Sequence, residues 1–347
     1  MNRGVVTIAV NIGETITEYL TNHTAYTGLA VIVDENTKEY CYPVIRESLP
    51  KHKIIQTNSG EENKTLDSCR DIWSQLTEAS FDRKALVINL GGGVIGDMGG
   101  FCAAAYKRGI SFINIPTTLL AMVDASIGGK LGIDFEHYKN HIGFFKEPDE
   151  IFVYAAFLET LDPRELKSGF AEVIKHSLIA DADYWPNIVN YDFDDQDWER
   201  HIRHSIEVKE AVVKSDPTEK GYRKILNFGH TIGHAIESYF LDMPGKKLLH
   251  GEAIAIGMIC ESNLSVKLTG LTEYDNKKIK DYILKVYGKT DITDKDVEAI
   301  VSLCQQDKKN EKGKIRFSLL ESLGKATYDI DVKPDFIINS LEEYLKF

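Results

Sequence analysis

The sequence is poor in cysteine, tryptophan and proline, and it contains no long apolar run. Its 347 residues include only 5 cysteines, 3 tryptophans and 9 prolines. The cysteines are odd in number, scattered, and without the C-x-x-C spacing of a metal ribbon or a redox motif. We therefore expect no disulfide framework, and we interpret the cysteines as reduced core residues of a cytoplasmic protein.

Basic charge is also in short supply. Lysine and arginine together number 41 against 53 acidic residues, which gives a formal net charge of -12. This excess of acid argues against nucleic acid and anionic membranes as partners. No apolar run approaches the roughly 20 residues that span a bilayer, and the first residues do not lead into a signal-peptide core. Any anionic ligand must be bound by a local cluster of cations.

The first half of the chain alternates short apolar runs with helical patterns. A length of 347 residues favours two domains. Apolar strands that alternate with helices indicate an α/β domain, a parallel sheet covered on both faces, whose ligands bind beyond the carboxyl ends of the strands. The predicted strands are Val5–Val10, Leu29–Asp34, Lys53–Thr57, Ala85–Leu90, Ser111–Ile115 and Ile151–Tyr154.

A glycine-rich segment directly follows the predicted strand that ends at Leu90. Gly91, Gly93 and Gly96 satisfy G-x-G-x-x-G, a pattern that lets the backbone approach a pyrophosphate at a helix N-terminus. The next strand carries no acid at its end, and Asp34 is the strand-end acid available to a ribose. The pattern predicts a dinucleotide site in a variant of the usual fold. A tight glycine turn without a ligand is the alternative.

A second combination of glycine and lysine occurs shortly afterwards. An apolar helical segment ends at Asp124 and is followed by Gly128, Gly129 and Lys130. Backbone amides and an ammonium group together are typical of a phosphate contact. The alternative is a helix C-terminus with a solvated lysine.

The second half of the chain is predicted to be mostly α-helical, with a domain boundary between residues 159 and 160. A helix that begins near Asp162 continues through Glu172, Lys175 and His176. Their spacing of three and four residues places them on one face. An exposed, ion-paired helix face is the alternative to a functional site there. The segment from Asp197 to Lys214 predicts a further helix that carries Lys209.

A histidine-rich stretch suggests the chemistry of the second half. If the segment is helical, His230 and His234 lie one turn apart, and His250 follows sixteen residues later. Two such imidazoles can bind a divalent cation or an anionic substrate. The alternative is a helix that carries two histidines without a binding role. Glu219 begins a polar repeat of every four residues that continues through Arg223 and Asn227, so the spacing predicts a single face from Glu219 to His234.

Together these motifs resemble the 3-dehydroquinate synthase family. The resemblance implies an N-terminal Rossmann-like NAD-binding domain (1–159) and a mostly helical C-terminal domain (160–347) for metal and substrate. It implies a zinc ion, with cobalt as an alternative, in the cleft between the domains of a homodimer. The implied reaction converts 3-deoxy-D-arabino-heptulosonate 7-phosphate to 3-dehydroquinate and phosphate, and the substrate's own phosphate removes the proton. The motifs are Ser59–Lys64, Gly91–Gly100, Tyr106–Gly109, Pro116–Lys130, Lys139–Asn140, Phe157–Thr160, Glu172–His176, Leu226–His234 and His250–Glu252.

The resemblance also implies roles for individual residues. The metal ligands become Glu172, His230 and His250, which replaces the interpretation from spacing alone that His230 and His234 are both ligands. The implied substrate-binding residues are Arg108 (towards a neighbouring subunit), Asp124, Lys130, Asn140, Lys175, Lys209, Arg223, Asn227, His234 and one of Lys308 and Lys309. The implied NAD-site residues are Asp34, Glu61, Glu62, Asn63, Lys64, Gly93, Val94, Ile95, Gly96, Asp97, Thr117, Thr118, Lys130, Lys139, Phe157, Leu158, Glu159 and Thr160.

Three other functions remain open from the sequence. A sibling sugar phosphate cyclase would act on a substrate without a carboxylate, for which Lys209, Arg223 and Asn227 would have no use. A polyol dehydrogenase would reduce NAD in net terms and would need fewer cations for phosphate. A binding protein stabilised by structural zinc would more often use four ligands that include cysteine.

Overall fold

The computed structural model describes residues 4–136, 138–241, 243, 245–306 and 315–347. It contains two compact units. One unit takes the chain up to Leu166 together with Trp198–Glu210, and the other takes Lys167–Asp197 together with Ala211–Phe347. The assignment of separate functions to residues 1–159 and 160–347 stays a prediction.

The first unit is built on a six-stranded parallel sheet, as predicted. Its strand order is β1-β8-β5-β4-β2-β3, and every pairing described within it is parallel. β6 and β7 form a separate antiparallel hairpin that was not predicted. The strands are β1 (Val5–Ile8), β2 (Leu29–Val33), β3 (Lys53–Gln56), β4 (Leu86–Gly91), β5 (Ser111–Pro116), β6 (Lys130–Phe135), β7 (Tyr138–Phe145) and β8 (Glu150–Val153).

Burial explains why β2 is apolar at every position and why β4 is apolar at every position except Asn89. All five residues of β2 and all six of β4 are buried, because helices cover both faces of a parallel sheet. The helix that follows β4 is itself mostly buried and contributes Met98 and Cys102 to the core. The helices of this half are α1 (Ile12–Asn22), α2 (Glu35–Tyr40), α3 (Tyr42–Ile45), α4 (Leu66–Glu78) and α5 (Gly93–Ala105).

The second half of the chain is mostly helical, as predicted. It also contains an antiparallel pair of strands, β9 (Ile315–Ser322) and β10 (Lys325–Val332). The helices are α6 (Pro163–Ala180), α7 (Trp185–Val189), α8 (Trp198–Ser215), α9 (His230–Leu241), α10 (His250–Leu268), α11 (Glu273–Tyr287), α12 (Asp294–Gln306) and α13 (Pro334–Leu345).

Helices α9 and α10 pack unusually closely through glycine. A Cβ atom on Gly257 of α10 would lie 2.8 Å from the backbone nitrogen of Gly233 and would also overlap the carbonyl oxygen of Gly229. A Cβ atom on Gly233 would lie 3.0 Å from the Cα atom of Ile254. Residues other than glycine would therefore push the two backbones apart. This close contact fixes the relative positions of the first residues of both helices, which are His230 and His250.

All five cysteines are buried thiols, which agrees with the expectation that they fill the core. Within the part of the chain that the structure describes, no helix combines the length and apolar character that a bilayer crossing requires.

Candidate functional site

The predicted NAD-binding residues lie at one edge of the parallel sheet. Asp34 directly follows β2, the Glu61–Lys64 segment follows β3, Gly93 follows β4, Thr117 follows β5, and Phe157 follows β8. Because parallel strands all end at the same edge, these five segments share the carboxyl edge of the sheet. The sequence alone could not order them, since the strand order β8-β5-β4-β2-β3 differs from the chain order.

The glycine-rich turn between β4 and α5 leaves space for a ligand to contact the protein backbone. A Cβ atom on Gly91 would lie 2.5 Å from the side chain of Ile95, and one on Gly92 would lie 2.9 Å from Thr118. These two glycines are needed for internal packing. A Cβ atom on Gly93 or Gly96 would make only ordinary contacts, at 3.5 and 3.9 Å. The N-terminus of α5, which Gly92 leaves without a side-chain cap, fits the pyrophosphate of a dinucleotide.

Two acidic residues organise the loops beside this turn. Asp34 caps α2, and its Oδ1 atom accepts a hydrogen bond of 2.7 Å from the backbone nitrogen of Thr37. Glu35 accepts hydrogen bonds from the backbone nitrogen and the hydroxyl of Ser59, at 3.0 and 2.6 Å. The hydroxyl of Ser59 holds the pKa of Glu35 below its usual range. Glu35 therefore anchors the loop that leads to Glu61.

Lys64 connects two groups of residues to which different roles were predicted. Its ammonium group donates to Asp97 at 2.7 Å and to the side-chain oxygen of Asn140 at 2.6 Å. Burial by itself lowers the pKa of Lys64, but the charges of Asp97 and Glu61 outweigh burial and raise it above its usual range. Asn140 was predicted to bind phosphate, yet its side chain contacts Lys64 of the predicted NAD set. Lys139 also lies 4.0 Å from Glu61.

Asp124 and Lys209 form an ion pair within the first unit. The Lys209 ammonium lies 2.5 Å from the Asp124 carboxylate and donates to its carbonyl oxygen at 2.6 Å. Lys209 is buried, whereas Lys130 is exposed at the start of β6. Arg108 is exposed and has a left-handed backbone, with φ of 73°. Both Lys130 and Arg108 are accessible to an anion from solvent.

The second unit brings the three predicted metal ligands together. Oε1 of Glu172 on α6 lies 3.4 Å from Nε2 of His230 on α9 and 3.7 Å from Nε2 of His250 on α10. Glu172 is fully buried, and its Oε2 atom forms an ion pair with Lys175. A buried carboxylate with two converging imidazole nitrogens is a suitable set for a divalent cation such as zinc.

The other nitrogen of each histidine is held by an acceptor. Nδ1 of His230 lies 3.0 Å from the carbonyl oxygen of Phe228, and Nδ1 of His250 lies 3.1 Å from the carboxylate of Glu237. Because a carbonyl oxygen only accepts hydrogen bonds, Nδ1 of His230 carries the proton and Nε2 keeps its lone pair for a metal. With their Nδ1 atoms held in this way, His230 and His250 are suited to bind a divalent cation.

Glu237 was not predicted from the sequence. It is buried on α9, seven residues after His230, and therefore lies on the same helix face. Burial by itself lowers the pKa of His250, but the charge of Glu237 and hydrogen bonds to Glu172 and Glu237 raise it to about 9. An acidic residue two turns after the first histidine was the signal that could have identified it.

His234 lies beside both predicted histidine ligands. Its ring centroid is 5.1 Å from that of His230 and 5.6 Å from that of His250, and all three rings have nitrogen atoms within 4.8 Å of one another. The prediction that His230 and His234 share a helix face is confirmed. Since His234 is also within reach of an ion, the ligand set of Glu172, His230 and His250 stays a prediction.

The predicted continuous polar face from Glu219 to His234 is wrong. Glu219 and Gly229 have left-handed backbones, with φ of 56° and 80°, and a short 3-10 helix from Tyr222 to Asn227 lies between them. Some of the residues still meet, because Asn227 donates to Glu219 at 2.9 Å. Arg223 is buried, and its guanidinium donates to the carbonyl oxygen of Pro217 at 2.9 Å.

The remaining predicted residues are placed as follows. Phe157 and Leu158 are buried in a 3-10 segment after β8, and Glu159 and Thr160 are exposed in the same segment. Asn63 donates to the carbonyl oxygen of Ser59 at 2.6 Å and thereby closes the loop after β3. Lys308 and Lys309 lie outside the described residues.

Comparison with solved structures identifies the class of fold. The solved structure of a 2-deoxy-scyllo-inosose synthase complexed with carbaglucose-6-phosphate, NAD+ and Co2+ superposes with a TM-score of 0.83 at 26% identity, and the match covers 97% of this chain and 96% of that one. A 2-epi-5-epi-valiolone synthase from Streptomyces hygroscopicus subsp. jinggangensis, solved with NAD+ and Zn2+, gives a TM-score of 0.88 at 23% identity, over 100% and 98% of the two chains. The fold is that of the sugar phosphate cyclases.

Sequence comparison narrows this class. A family model described as 3-dehydroquinate synthase N-terminal matches residues 54–168, and one described as 3-dehydroquinate synthase C-terminal matches residues 169–310. A 3-dehydroquinate synthase from Parabacteroides distasonis is 41% identical over 325 residues, which cover 92% of this chain and 92% of that protein. The chain belongs to the 3-dehydroquinate synthase family.

Proposed function

We propose that this chain catalyses the 3-dehydroquinate synthase reaction, in which 3-deoxy-D-arabino-heptulosonate 7-phosphate loses phosphate and cyclises to 3-dehydroquinate. The enzyme would then be a carbon–oxygen lyase of the shikimate pathway. The observation that supports this proposal best is the convergence of Glu172, His230 and His250 in a chain of this family. When bound, NAD would supply reversible hydride transfer that acidifies the C–H bond next to the leaving phosphate, and zinc or cobalt would polarise the hydroxyl being oxidised.

The residues of the chain bind and orient the substrate in this proposal. Lys209 and Arg223, with Asn227, bind the carboxylate and ring oxygens. Arg223 is suited to this role because its planar guanidinium forms paired hydrogen bonds with a carboxylate. Asp124 holds the Lys209 ammonium in place, at 2.5 Å, and Lys175, paired with Glu172, orders the hydroxyls.

Cations and amides bind the phosphate group. We assign Lys130, Asn140 and His234 to this role, with one of Lys308 and Lys309. Arg108, which is exposed on the isolated chain, would reach the phosphate bound by a second subunit of a homodimer. We assign no separate base, since the substrate phosphate itself accepts the proton.

The carboxyl edge of the sheet binds NAD. We assign the pyrophosphate to the turn from Gly93 to Asp97 and the ribose of adenosine to Asp34. We place the remaining contacts at Glu61–Lys64, Thr117, Thr118, Lys130, Lys139 and Phe157–Thr160. The buried thiols support a reducing compartment, so we also propose that the enzyme works in the cytoplasm.

The carboxylate-binding residues favour this substrate over those of sibling cyclases. Lys209 and Arg223 are both at least nine-tenths buried. A substrate without a carboxylate would leave these cations with fewer counter-charges in the closed site, which is costly when charges are buried. The sibling substrates are therefore the less favoured alternative.

The deciding experiment records phosphate release and NADH absorbance together, with the heptulosonate phosphate, a catalytic amount of NAD, and zinc. We expect phosphate in many-fold excess over NAD, with no accumulation of NADH. NADH accumulation without phosphate would instead identify a dehydrogenase. No signal in either channel with this substrate, but phosphate release from another sugar phosphate, would identify a sibling cyclase.

A further inference from the structure

The N-terminus of α9 is capped by a side chain from a different helix. Gly229, which precedes His230, has no side chain with which to cap the helix, although the first amides of any helix need acceptors. Glu261 of α10 supplies them: its Oε2 atom accepts from the backbone nitrogen of Gly229 at 2.7 Å, and its Oε1 atom accepts from that of Ile232 at 3.0 Å. Glu261 is fully buried.

These contacts extend to the metal-facing atom of His230 through one peptide group. The Gly229 nitrogen and the Phe228 carbonyl belong to the same peptide unit. Its N–H group donates to Glu261, and its oxygen accepts from Nδ1 of His230 at 3.0 Å. A carboxylate on the nitrogen side polarises the peptide and makes its oxygen a better acceptor, because linked hydrogen bonds strengthen one another. Nε2 of the same ring lies 3.4 Å from Glu172.

We propose that Glu261 is a positioning residue for His230, acting through the peptide that joins Phe228 and Gly229. Glu261 fixes the orientation of this peptide, and the peptide fixes the tautomer and direction of the imidazole. His250 has the direct version of the same support, because Glu237 contacts its Nδ1 atom at 3.1 Å. The two histidines are thus each supported by a buried glutamate, one directly and one through a peptide.

Two features favour this role over simple helix capping. The carboxylate is charged, buried and placed at the positive end of the α9 dipole, where it forms two charge-assisted hydrogen bonds. In addition, the close contact of Gly257 on α10 with the carbonyl oxygen of Gly229 and the nitrogen of Gly233 holds α9 and α10 together next to this cap. Because the two helices stay in place, replacing one oxygen of Glu261 affects mainly the peptide between Phe228 and Gly229. This inference rests on the proposed metal site, but not on the identity of the substrate.

The test uses the full-length Glu261→Gln variant, in which an amide NH2 faces one of the two backbone N–H groups. The zinc dissociation constant is measured by chelator competition, and the visible absorption spectrum of the cobalt-loaded protein reports ligand geometry. We expect zinc binding about tenfold weaker or more, which is typical when an outer partner of a metal ligand is lost, and an altered cobalt spectrum. Zinc affinity within twofold of the wild type with an unchanged cobalt spectrum would overturn the proposal.

The matched control is Ser262→Ala. Ser262 is the next residue on α10, is equally buried, and donates to Asn276 of α11 at 2.8 Å, away from α9. The Ser262→Ala variant should be less stable than the wild type but should keep the wild-type zinc affinity and cobalt spectrum. If Ser262→Ala changes them as much as Glu261→Gln does, the effect is general loosening and the proposal fails. If Glu261→Gln does not fold, Glu261→Asp, which keeps the charge on a shorter side chain, is judged by the same two criteria.

A metal-free measurement separates this inference from the proposed function. The imidazole nitrogens of His230, observed by NMR in the apo-protein, should show the tautomer with the proton on Nδ1, and Glu261→Gln should increase the other tautomer. This result would stand even if the dehydroquinate assay gave no product. An unchanged tautomer in Glu261→Gln would refute the positioning role, whatever the activity of the enzyme.

Discussion

At the scale of single residues, the candidate metal site depends on the histidine Nδ1 atoms, which face away from the position of the ion. The histidines point Nε2 at Glu172 because their Nδ1 atoms are held elsewhere, by Phe228 and by Glu237. Outer contacts of this kind hold metal ligands in orientation and contribute to metal affinity. Sequence motifs identified the inner residues but did not pair Glu237 with His250, because the two lie 13 residues apart on different helices and helical spacing does not predict contacts between helices.

Arg223 provides a prediction at this scale. Its backbone nitrogen donates to Asp216 at 3.2 Å. Its buried guanidinium donates to the carbonyl oxygen of Pro217 at 2.9 Å, so the side chain is held in place before any ligand binds. Arg223→Ala should raise the KM for the heptulosonate phosphate and lower kcat/KM by about tenfold to a hundredfold, since hydrogen bonds to a charged group contribute about 1.5–3 kcal/mol. Steady-state kinetics measure this change.

The matched control for that variant is Lys224→Ala. Lys224 is the next residue, and its ammonium forms an ion pair with Asp329 at 2.8 Å. Its removal should leave KM unchanged. If Arg223→Ala left kcat/KM at the wild-type value, Arg223 would have no place in the substrate site.

Asp216 supports the same turn and gives a pH-dependent prediction. Burial by itself raises the pKa of Asp216, but hydrogen bonds from the backbone nitrogens of Gly221, Lys220 and Arg223 outweigh burial and lower it from 3.8. The native state therefore prefers the ionised form. Its contribution to stability is present above the unfolded pKa and is lost as the pH falls through the lower, folded pKa.

We expect Asp216→Asn to be less stable than the wild type at pH 7, with a difference that shrinks as the pH falls below about 4. Urea unfolding at several pH values measures the difference. An exposed aspartate, Asp291, serves as control, and Asp291→Asn should match the wild type throughout. A difference for Asp216→Asn that grew towards low pH would contradict the sign of this linkage.

At the scale of elements, the glycines of α5 fall into two groups, one required for packing and one with room for a ligand. A Cβ atom on Gly99 would overlap the side chain of Asn89, whereas one on Gly93 would lie 3.5 Å from Ala125. Gly99→Ala should therefore cost about 1–3 kcal/mol of stability through overpacking. Gly93→Ala should keep or slightly increase stability, because alanine is a better helix former by about 1 kcal/mol, yet it should weaken NAD binding.

Thermal unfolding and calorimetric titration with NAD measure the two effects. Gly96→Ala, with 3.9 Å to the nearest side chain, should behave like Gly93→Ala. The assignment of the pyrophosphate to this turn would fail if both variants bound NAD as tightly as the wild type.

The strands that could be predicted most directly are those whose burial is uniform. β2 and β4 are covered on both faces and nearly every residue is apolar, whereas β1 and β3 are partly exposed and were identified from short apolar runs. The β6–β7 hairpin was missed for two reasons. Phe144 and Phe145 are partly exposed, and the strands contain Gly132 and Gly143, although glycine is more typical of a loop. The helical face from Glu219 failed at Gly229, whose left-handed backbone cannot be inferred from periodicity.

At the scale of the whole molecule, net charge and local charge oppose each other. The chain carries a net charge of -12, yet Lys64, Lys209 and Arg223 are all buried cations. Interactions of buried charges are screened less by salt than those on the surface. Lys64 is paired with Asp97 and Lys209 with Asp124. Composition thus predicts that an anionic ligand needs local cations, but it does not tell which cations are buried.

Metal binding should stabilise the whole molecule. An ion that binds the native state alone, at about 100 times its dissociation constant, adds about 2.7 kcal/mol. We expect zinc to raise the Tm of the chelated protein by several degrees, and His250→Ala to abolish most of this increase. Differential scanning calorimetry measures it. The control is His52→Ala, which removes a histidine that is hydrogen-bonded to Tyr42 and should keep the full increase in Tm. An increase in Tm that survived in His250→Ala would exclude His250 as a ligand.

The tight contact between α9 and α10 also restricts how the chain can change in length. His230, His234 and Glu237 share one face of α9, while α10 carries His250 at its first residue and Glu261 eleven residues later. A single inserted residue turns the rest of a helix by about 100°. An insertion between His230 and Glu237, or between His250 and Glu261, would thus separate a histidine from its glutamate while leaving every functional residue in the sequence. In homologues of different length, we expect gaps to be excluded from these two intervals.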